Sequence, residues 1–225
     1  PALIGGTALV AAYAGGIYAI QTTSVADALL LFASAPFMAA ILGWLILREP
    51  VRLRTWAAIA VACGGIAVMV GDSSGTSSPI GNAAALLSAF GFAVFTIALR
   101  WGRAGDMLPA VFVSGLLAIV VMTVICLAMG LPLVLSPRDG AIATGMGVFQ
   151  VGAGLIVYTI GSRHVPAAEV TLLSLAEVVL GPLWVWLFLS ETISPRTAIG
   201  GAILLTAIAA NALMGMRRKP PVTLV

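Results

Sequence analysis

Glu177 is the residue whose type and position most directly suggest chemistry. It is the only charged residue near the middle of any long apolar stretch of the chain. A carboxyl group at the depth of a membrane is costly unless it is protonated, paired or exposed to water. On a helical wheel, Ser174 and Glu177 share a face with Gly181 and Trp184. This face predicts a site that binds a cation or amine, or that exchanges protons; the alternative is a neutral Glu177 that holds helices together through hydrogen bonds.

Two prolines, Pro36 and Pro182, interrupt apolar stretches in related parts of the chain. Proline lacks a backbone N–H, so each one frees the carbonyl group four residues earlier, which belongs to Phe32 or Val178. Broken helices in matching parts of a membrane protein point to a transporter binding site. A kink that only shapes helix packing is the alternative interpretation.

Small residues dominate one face of the stretch 140–162, and two polar residues interrupt them. Gln150 and Tyr158 are therefore candidates for contact with a solute, and Tyr13 in the first stretch is a weaker candidate. The small residues themselves predict close helix contact. The face consists of Gly147, Gln150, Gly154, Tyr158 and Gly161.

The remaining titratable residues favour structural roles. Asp27 and Glu169 lie where helices are expected to begin, so we assign them to capping. Glu49 and Glu191 lie where helices are expected to end, beside arginines, which predicts structural ion pairs. The single histidine is predicted in a loop, and the two cysteines have no metal-ligand spacing. We expect no metal, no cofactor, no nucleic-acid partner and no enzymatic activity, because no phosphate-binding, dinucleotide or zinc motif is present.

Composition identifies the elements that must position these residues. Hydrophobic residues make up 61% of the chain and charged residues 8%, against about 25% charged in a soluble domain. A membrane-spanning helix needs about 20 apolar residues. We therefore predict an all-α membrane protein with eight transmembrane helices, at 2–21, 27–47, 55–71, 80–100, 108–131, 140–162, 167–190 and 196–216.

Basic residues predict the orientation of these helices. If the first helix runs outward, nine of the eleven arginines and lysines fall in loops or tails on the inner side and two on the outer side. Basic loops favour the cytoplasm. We expect a multi-pass protein of the cell inner (plasma) membrane with a cytoplasmic C-terminus.

The chain also repeats itself at an offset of 142 residues. Between 27 and 70, eleven of 44 residues are identical to those 142 positions later, among them Trp44, Glu49, Arg54 and Thr55. The repeat unit contains five spans, which is an odd number, so the two copies are expected to be inverted in the membrane. We predict the last three helices of a truncated first repeat at 1–72, a complete second repeat at 80–216, and a basic cytoplasmic tail at 217–225.

Residues 34–50 and 172–191 carry a family likeness. They resemble the two halves of an EamA-domain transporter of the drug/metabolite transporter superfamily, with Glu49 and Glu191 at the helix ends where that family has glutamate. The likeness covers essentially the whole chain. It implies a ten-helix inverted repeat of two five-helix units, of which this chain holds the last eight, around a central solute cavity. The family often follows the residue matched by Glu177 with proline, whereas this chain has Val178 and then Pro182.

These observations predict a secondary transporter, and the resemblance favours an exporter of amino acids, other metabolites or drugs. Its repeats would expose a midplane site alternately to the two sides of the membrane. The expected partners are a small-molecule substrate and the lipid bilayer, and the sequence leaves a homodimer open. A non-transporting membrane subunit or receptor is the alternative, followed by an intramembrane enzyme.

Overall fold

The chain folds into a bundle of helices in the computed structural model. Every regular element in the described part of the chain is helical. The structure describes residues 2–70, 78–101, 108–128, 130, 133–154, 180–181, 183–185, 187–188 and 194–216.

Eight α-helices and one π-helical segment can be delimited within these residues. The π-helical segment is Met146–Ala153 and directly follows the seventh α-helix. The α-helices are α1 (Ala2–Thr22), α2 (Val25–Phe32), α3 (Ala35–Ile46), α4 (Leu53–Val70), α5 (Pro79–Trp101), α6 (Leu108–Ala128), α7 (Pro137–Gly145) and α8 (Pro195–Met216).

Five segments of the structure are long and apolar enough to cross a membrane, and α2 and α3 together form one of them. They match five of the eight predicted spans, so this is a multi-pass membrane protein. The apolar part of α6 is shorter, and the predicted spans at 140–162 and 167–190 stay predictions. The five segments are Leu3–Thr22, Val25–Ile46, Leu53–Val70, Pro79–Ala98 and Pro195–Met214.

Serine hydroxyls cap the starts of four helices. The Oγ atoms of Ser24, Ser78, Ser136 and Ser194 each accept a hydrogen bond from the backbone N–H three residues later. This satisfies one of the N–H groups that a helix start leaves without an intrahelical partner. Ser24 and Ser78 lie together, since the backbone N–H of Ser78 donates to Thr23 Oγ1 over 3.2 Å.

Helices α1 and α5 pack closely and antiparallel. A methyl group added at Gly5 would lie 3.3 Å from Ala98, so the start of α1 meets the end of α5. At the other end, Thr23 Oγ1 donates to Asn82 Oδ1 over 2.9 Å. The small residues of α1 allow this approach. Gly5 and Ala12 lie 142 positions before Gly147 and Gly154, so the close contact predicted for the small-residue face is present at the matching positions of the first copy.

Helices α4 and α8 form a second antiparallel pair. Near the start of α4, Thr55 Oγ1 donates to Asn211 Oδ1 over 3.1 Å. Further along α4, a methyl group added at Gly65 would lie 2.6 Å from the carbonyl oxygen of Gly200. The backbones of the two helices therefore touch where these glycines meet.

Helices α2 and α3 pack between these pairs. Leu30 and Leu31 of α2 are buried among residues of α1, α4 and α5, and Ala33 and Phe37 are buried against α4 and α8. A methyl group added at Gly201 would lie 2.6 Å from Leu30. Further along the chain, Phe37 of α3 shares a cluster with Leu204 and Ala207, which follow Gly201 on α8. The order of the contacts is the same on both sides, so α2 and α8 run in the same direction. Their starts, at Ser24 and Ser194, lie at one end of the bundle with Ser78, which we call the serine-capped end.

The π-helical segment differs from the α-helix predicted between 140 and 162. Its Gly152 lies close to the carbonyl oxygen of Gly147, five residues earlier, as π-helical hydrogen bonding requires. Glycines here lower the stability of α-helical backbone. The helical wheel that placed Gly147, Gln150 and Gly154 on one face assumed an α-helical period, and it does not apply to this segment.

Candidate functional site

A break divides the second membrane span near its middle. Helix α2 ends at Phe32 and α3 begins at Ala35, with Pro36 in its first turn. Proline suits this position because the backbone N–H groups of a first turn have no intrahelical partner. Ser34 bridges the break: its Oγ donates to the carbonyl of Leu31 over 2.6 Å, and its backbone N–H donates to the same oxygen over 3.1 Å.

The break lies against the middle of α1 and α5. Phe32, at the end of α2, lies 3.6 Å from the position of a methyl group added at Gly16 of α1. One turn before Gly16 on α1, the carbonyl of Ala12 accepts a hydrogen bond from Ser88 Oγ of α5 over 2.7 Å. Tyr13 follows Ala12 and is partly buried. The structure thus brings a helix break, a buried hydroxyl and Tyr13 to the same depth of the bundle.

Ser34 and Ser88 were not singled out by the sequence. In an apolar helix, serine is one of the small residues that suit close packing. Its presence among alanines and glycines therefore does not indicate a specific role for the hydroxyl. Both hydroxyls are buried and both donate to backbone carbonyls. They therefore stabilise the break and the α1–α5 contact.

Gln150 lies in the π-helical segment and its side chain is exposed. Among the described elements, this segment packs chiefly against α7. No described residue lies within 4 Å of a methyl group added at Gly147 or Gly154. The structure therefore presents Gln150 on an open surface, and the close packing predicted for the glycines is found in the first copy but not in the described part of the second.

Four of the sequence-predicted site residues lie outside the described residues: Ser174, Glu177, Tyr158 and Pro182. In the span that holds Ser174, Glu177 and Pro182, the described residues Leu180 and Gly181 follow Glu177 by three and four positions. A methyl group added at Gly181 would lie 3.3 Å from Leu29 Cδ1. This part of the span 167–190 therefore lies against α2, beside the helix that leads into the break.

An ion pair joins helix ends at the other end of the bundle. Glu49 Oε2 lies 2.9 Å from Arg100 Nη2, and both side chains are about two-fifths exposed. The ion pair predicted for Glu49 is confirmed, although its partner comes from the end of α5 and not from the neighbouring arginines. The pair ties the turn after α3 to α5.

A shallow groove of about 400 Å³ runs along the surface between α4 and α8. Its lining is almost entirely apolar. Binding sites combine apolar walls with a few convergent polar groups, and the groove offers one threonine, whose hydroxyl already donates to the carbonyl of Ala202 over 2.7 Å. This groove suits lipid chains. Its lining residues are Val61, Ile199, Ala202, Ile203 and Thr206.

Comparison with known proteins assigns the chain to a class. The model of the EamA-like transporter family matches residues 2–71 and 79–213. The chain therefore belongs to this family of membrane transporters, as residues 34–50 and 172–191 indicated.

Two proteins with related sequences are also described as transporters. An uncharacterized transporter of Bacillus subtilis (strain 168), YwfM, is 25% identical over 193 residues, which are 84% of this chain and 65% of the relative. An uncharacterized transporter of Methanothermobacter thermautotrophicus is 28% identical over 201 residues, which are 84% of this chain and 56% of the relative. The chain thus spans less than two thirds of the length of these relatives.

The fold also matches that of a protein of known crystal structure. The TM-score is 0.59 at 20% sequence identity, over 98% of this chain and 77% of the other. At this identity the likeness concerns the fold alone. The structural match extends over nearly the whole chain, so the two proteins have the same arrangement of helices over that length.

Proposed function

We propose that this chain is the main part of a secondary transporter that exports small organic solutes by alternating access. Family membership supports transport. The observation that carries the mechanism is the antiparallel crossing of α4 and α8, two helices whose sequences correspond at an offset of 142 residues. Inverted repeats place corresponding helices in opposite directions.

The residues in this crossing support a two-fold relation between the copies. At an offset of 142, a contact between Gly65 and Gly200 implies a matching contact between Ala58 and Ala207. Ala58 and Ala207 are both buried in one hydrophobic cluster between these helices. A contact that recurs when the two partners are exchanged is the mark of two-fold symmetry. We propose that the same two-fold axis relates the complete repeats.

The proposed solute site lies at the depth of the α2–α3 break. The break would serve as the helix interruption that transporters have near the midplane, with Tyr13 at the same depth of the bundle. Glu177 and Ser174 would face it from the span whose Gly181 touches α2. A carboxyl group at this depth suits a solute with an amine or other cationic group, or coupling to protons. Gln150 and Tyr158 would contribute polar contacts from the span 140–162.

Flux measurements on Glu177→Gln test the proposed site. The substitution keeps the shape and removes the charge, so the protein should insert and fold while transport is lost or becomes independent of pH. Glu191→Gln, which removes a carboxylate near the end of the same span, is the control and should keep most of the flux. Vesicles with matched amounts of each variant are tested with a panel of labelled amino acids, metabolites and drugs. Equal flux and an equal pH profile for Glu177→Gln would remove Glu177 from the site.

The proposal includes two further helices of the first repeat, which would pack on the open face around Gly147 and Gly154. In the first copy, the corresponding residues Gly5 and Ala12 are covered by α5. A cysteine at position 147, in a protein free of other cysteines, is expected to react with a lipid-soluble maleimide in this chain. It should be protected when the two helices are added. Equal reaction in both proteins would contradict this arrangement.

A further inference from the structure

Asp27 is buried in a way that its local sequence does not explain. The side chain is 2% exposed, and its Oδ1 atom is fully buried without a hydrogen-bond partner. Asp139 occupies the same position of an equivalent motif, three residues after a capping serine. Its carboxylate is exposed and accepts a hydrogen bond from Ser136 Oγ over 2.7 Å. Both helices are already capped by the serine, so the cap does not require the Asp27 carboxylate.

No cationic side chain among the described residues neutralises Asp27. Helix α2 packs against α1, α5 and α8 and touches Met69 of α4. The titratable groups of α1 are Tyr13 and Tyr18, and neither carries positive charge. Arg100 of α5 and Arg54 of α4 lie at the opposite end of the bundle, where Arg100 pairs with Glu49.

Among the described residues of the elements that pack against α2, the other cation is Arg196, in the first turn of α8. Its side chain is exposed, and Asp27 Oδ1 accepts no hydrogen bond from it. The start of α2 itself favours negative charge. A helix terminus supplies partial charges only, however, whereas an ionised carboxylate removed from water requires a full counter-charge or a proton.

Buried side chains with oxygen atoms lie on the helices next to Asp27, near the same end of the bundle. Leu30 meets Gly201, so Asp27, one turn before Leu30, is level with Thr197, one turn before Gly201. Thr197 is 1% exposed. On the α1–α5 side, Thr23 and Asn82 are buried and joined by a hydrogen bond. Hydroxyl and amide oxygens are ligands for hard cations.

We propose that Asp27 binds a monovalent metal cation, Na⁺, at the serine-capped end of the bundle. A single carboxylate is neutralised completely by one positive charge. Divalent cations are held by several carboxylates, and no group of three acidic, histidine or cysteine side chains occurs among the described residues. Binding at Asp27 does not depend on transport. Its use to couple cation entry to solute movement rests on the proposed function.

Thermal unfolding of the purified full chain in detergent tests the site, with Asp27→Asn and the matched control Asp139→Asn. For Na⁺, the Tm of the wild type should rise to a plateau with NaCl, but not with choline chloride at equal ionic strength and alkaline pH. Asp27→Asn should lose the response and Asp139→Asn should keep it. Identical responses of wild type and Asp27→Asn to NaCl would overturn the proposal.

A second measurement needs no substitution and covers the case in which Asp27→Asn does not fold. Dicyclohexylcarbodiimide modifies protonated carboxyl groups in apolar surroundings, and peptide mapping locates the product. Modification of Asp27 that Na⁺ suppresses and choline does not supports the site, and modification that Na⁺ leaves unchanged, or no modification of Asp27, contradicts it. A Tm response without solute flux would count against the transporter proposal alone. Flux without a Tm response would count against the cation site alone.

Discussion

Gly65 of α4 and Gly200 of α8 touch through their backbones, and each would place an added methyl group 2.6 or 2.5 Å from the other's carbonyl oxygen. The contact is reciprocal. Neither helix can accept a side chain there unless the pair moves apart. Because α4 and α8 correspond in sequence, this contact lies close to the two-fold axis that we propose for the repeats.

The first prediction concerns this contact. Gly65→Ala should destabilise the protein by about 1–3 kcal/mol, because overpacking forces backbones apart. Gly64→Ala is the control in the same helix, since no described residue lies within 4 Å of its added methyl group. It should be neutral or stabilise by up to about 1 kcal/mol through helix propensity. Unfolding of the purified variants in mixed micelles measures both, and equal losses would contradict the close crossing.

The second prediction concerns the hydrogen bond between Thr55 and Asn211. Interhelical hydrogen bonds in membrane proteins contribute about 0.6 kcal/mol on average. A double-mutant cycle of Thr55→Val and Asn211→Leu should give a coupling free energy of this size. Thr206 is the control, because its hydroxyl donates to a carbonyl of its own helix. A cycle of Thr55→Val with Thr206→Val should show no coupling, and coupling there would assign the effect to general helix packing.

The third prediction concerns the ion pair of Glu49 and Arg100. Both side chains are partly exposed, so the pair should contribute only about 0.2–1 kcal/mol. Glu49→Arg should lower stability at low salt, because it places two cations together. The double variant Glu49→Arg with Arg100→Glu should recover most of this loss. Chemical unfolding at low and high salt measures the effect, which must shrink as salt screens the charges. A salt-independent loss would point to packing.

The fourth prediction concerns orientation. A reporter fused after Lys219 should lie in the cytoplasm, and a tag inserted at Ser74 should lie outside, because nine of eleven basic residues fall on the side of the C-terminus. Accessibility to membrane-impermeant reagents in whole cells measures both positions. A C-terminus outside the cytoplasm would contradict the predicted orientation of the helices.

Composition and length were sufficient to predict five membrane spans, since an apolar helix of this length is itself the determinant of membrane insertion. The antiparallel pairing of α4 and α8 is also consistent with the sequence repeat. The position of Pro36 at the start of α3 follows from proline chemistry, which suits a first turn. These features depend on residues close together in the chain or on their periodic arrangement.

Other features depend on neighbours that are distant in the chain, and they could not be predicted. Ser24 with Asp27 and Ser136 with Asp139 are the same local pattern, yet one carboxylate is buried and the other exposed. Only the packing of other helices around α2 makes this difference. Glu49 likewise pairs with Arg100 and not with its sequence neighbours.

The glycine contact fixes the distance between α4 and α8, so this pair is an internal reference for measuring the motion of other helices. Two backbones in direct contact cannot approach further, and a gap between them would leave apolar groups without partners. Spectroscopic labels at the exposed residues Val68 and Ile199 should therefore report one sharp, constant distance whichever solute or ion is present. Leu45 lies beyond the break at Ser34. A change in the distance between labels at Leu45 and Ile199 would therefore report a hinge motion of α3 relative to the fixed pair of α4 and α8.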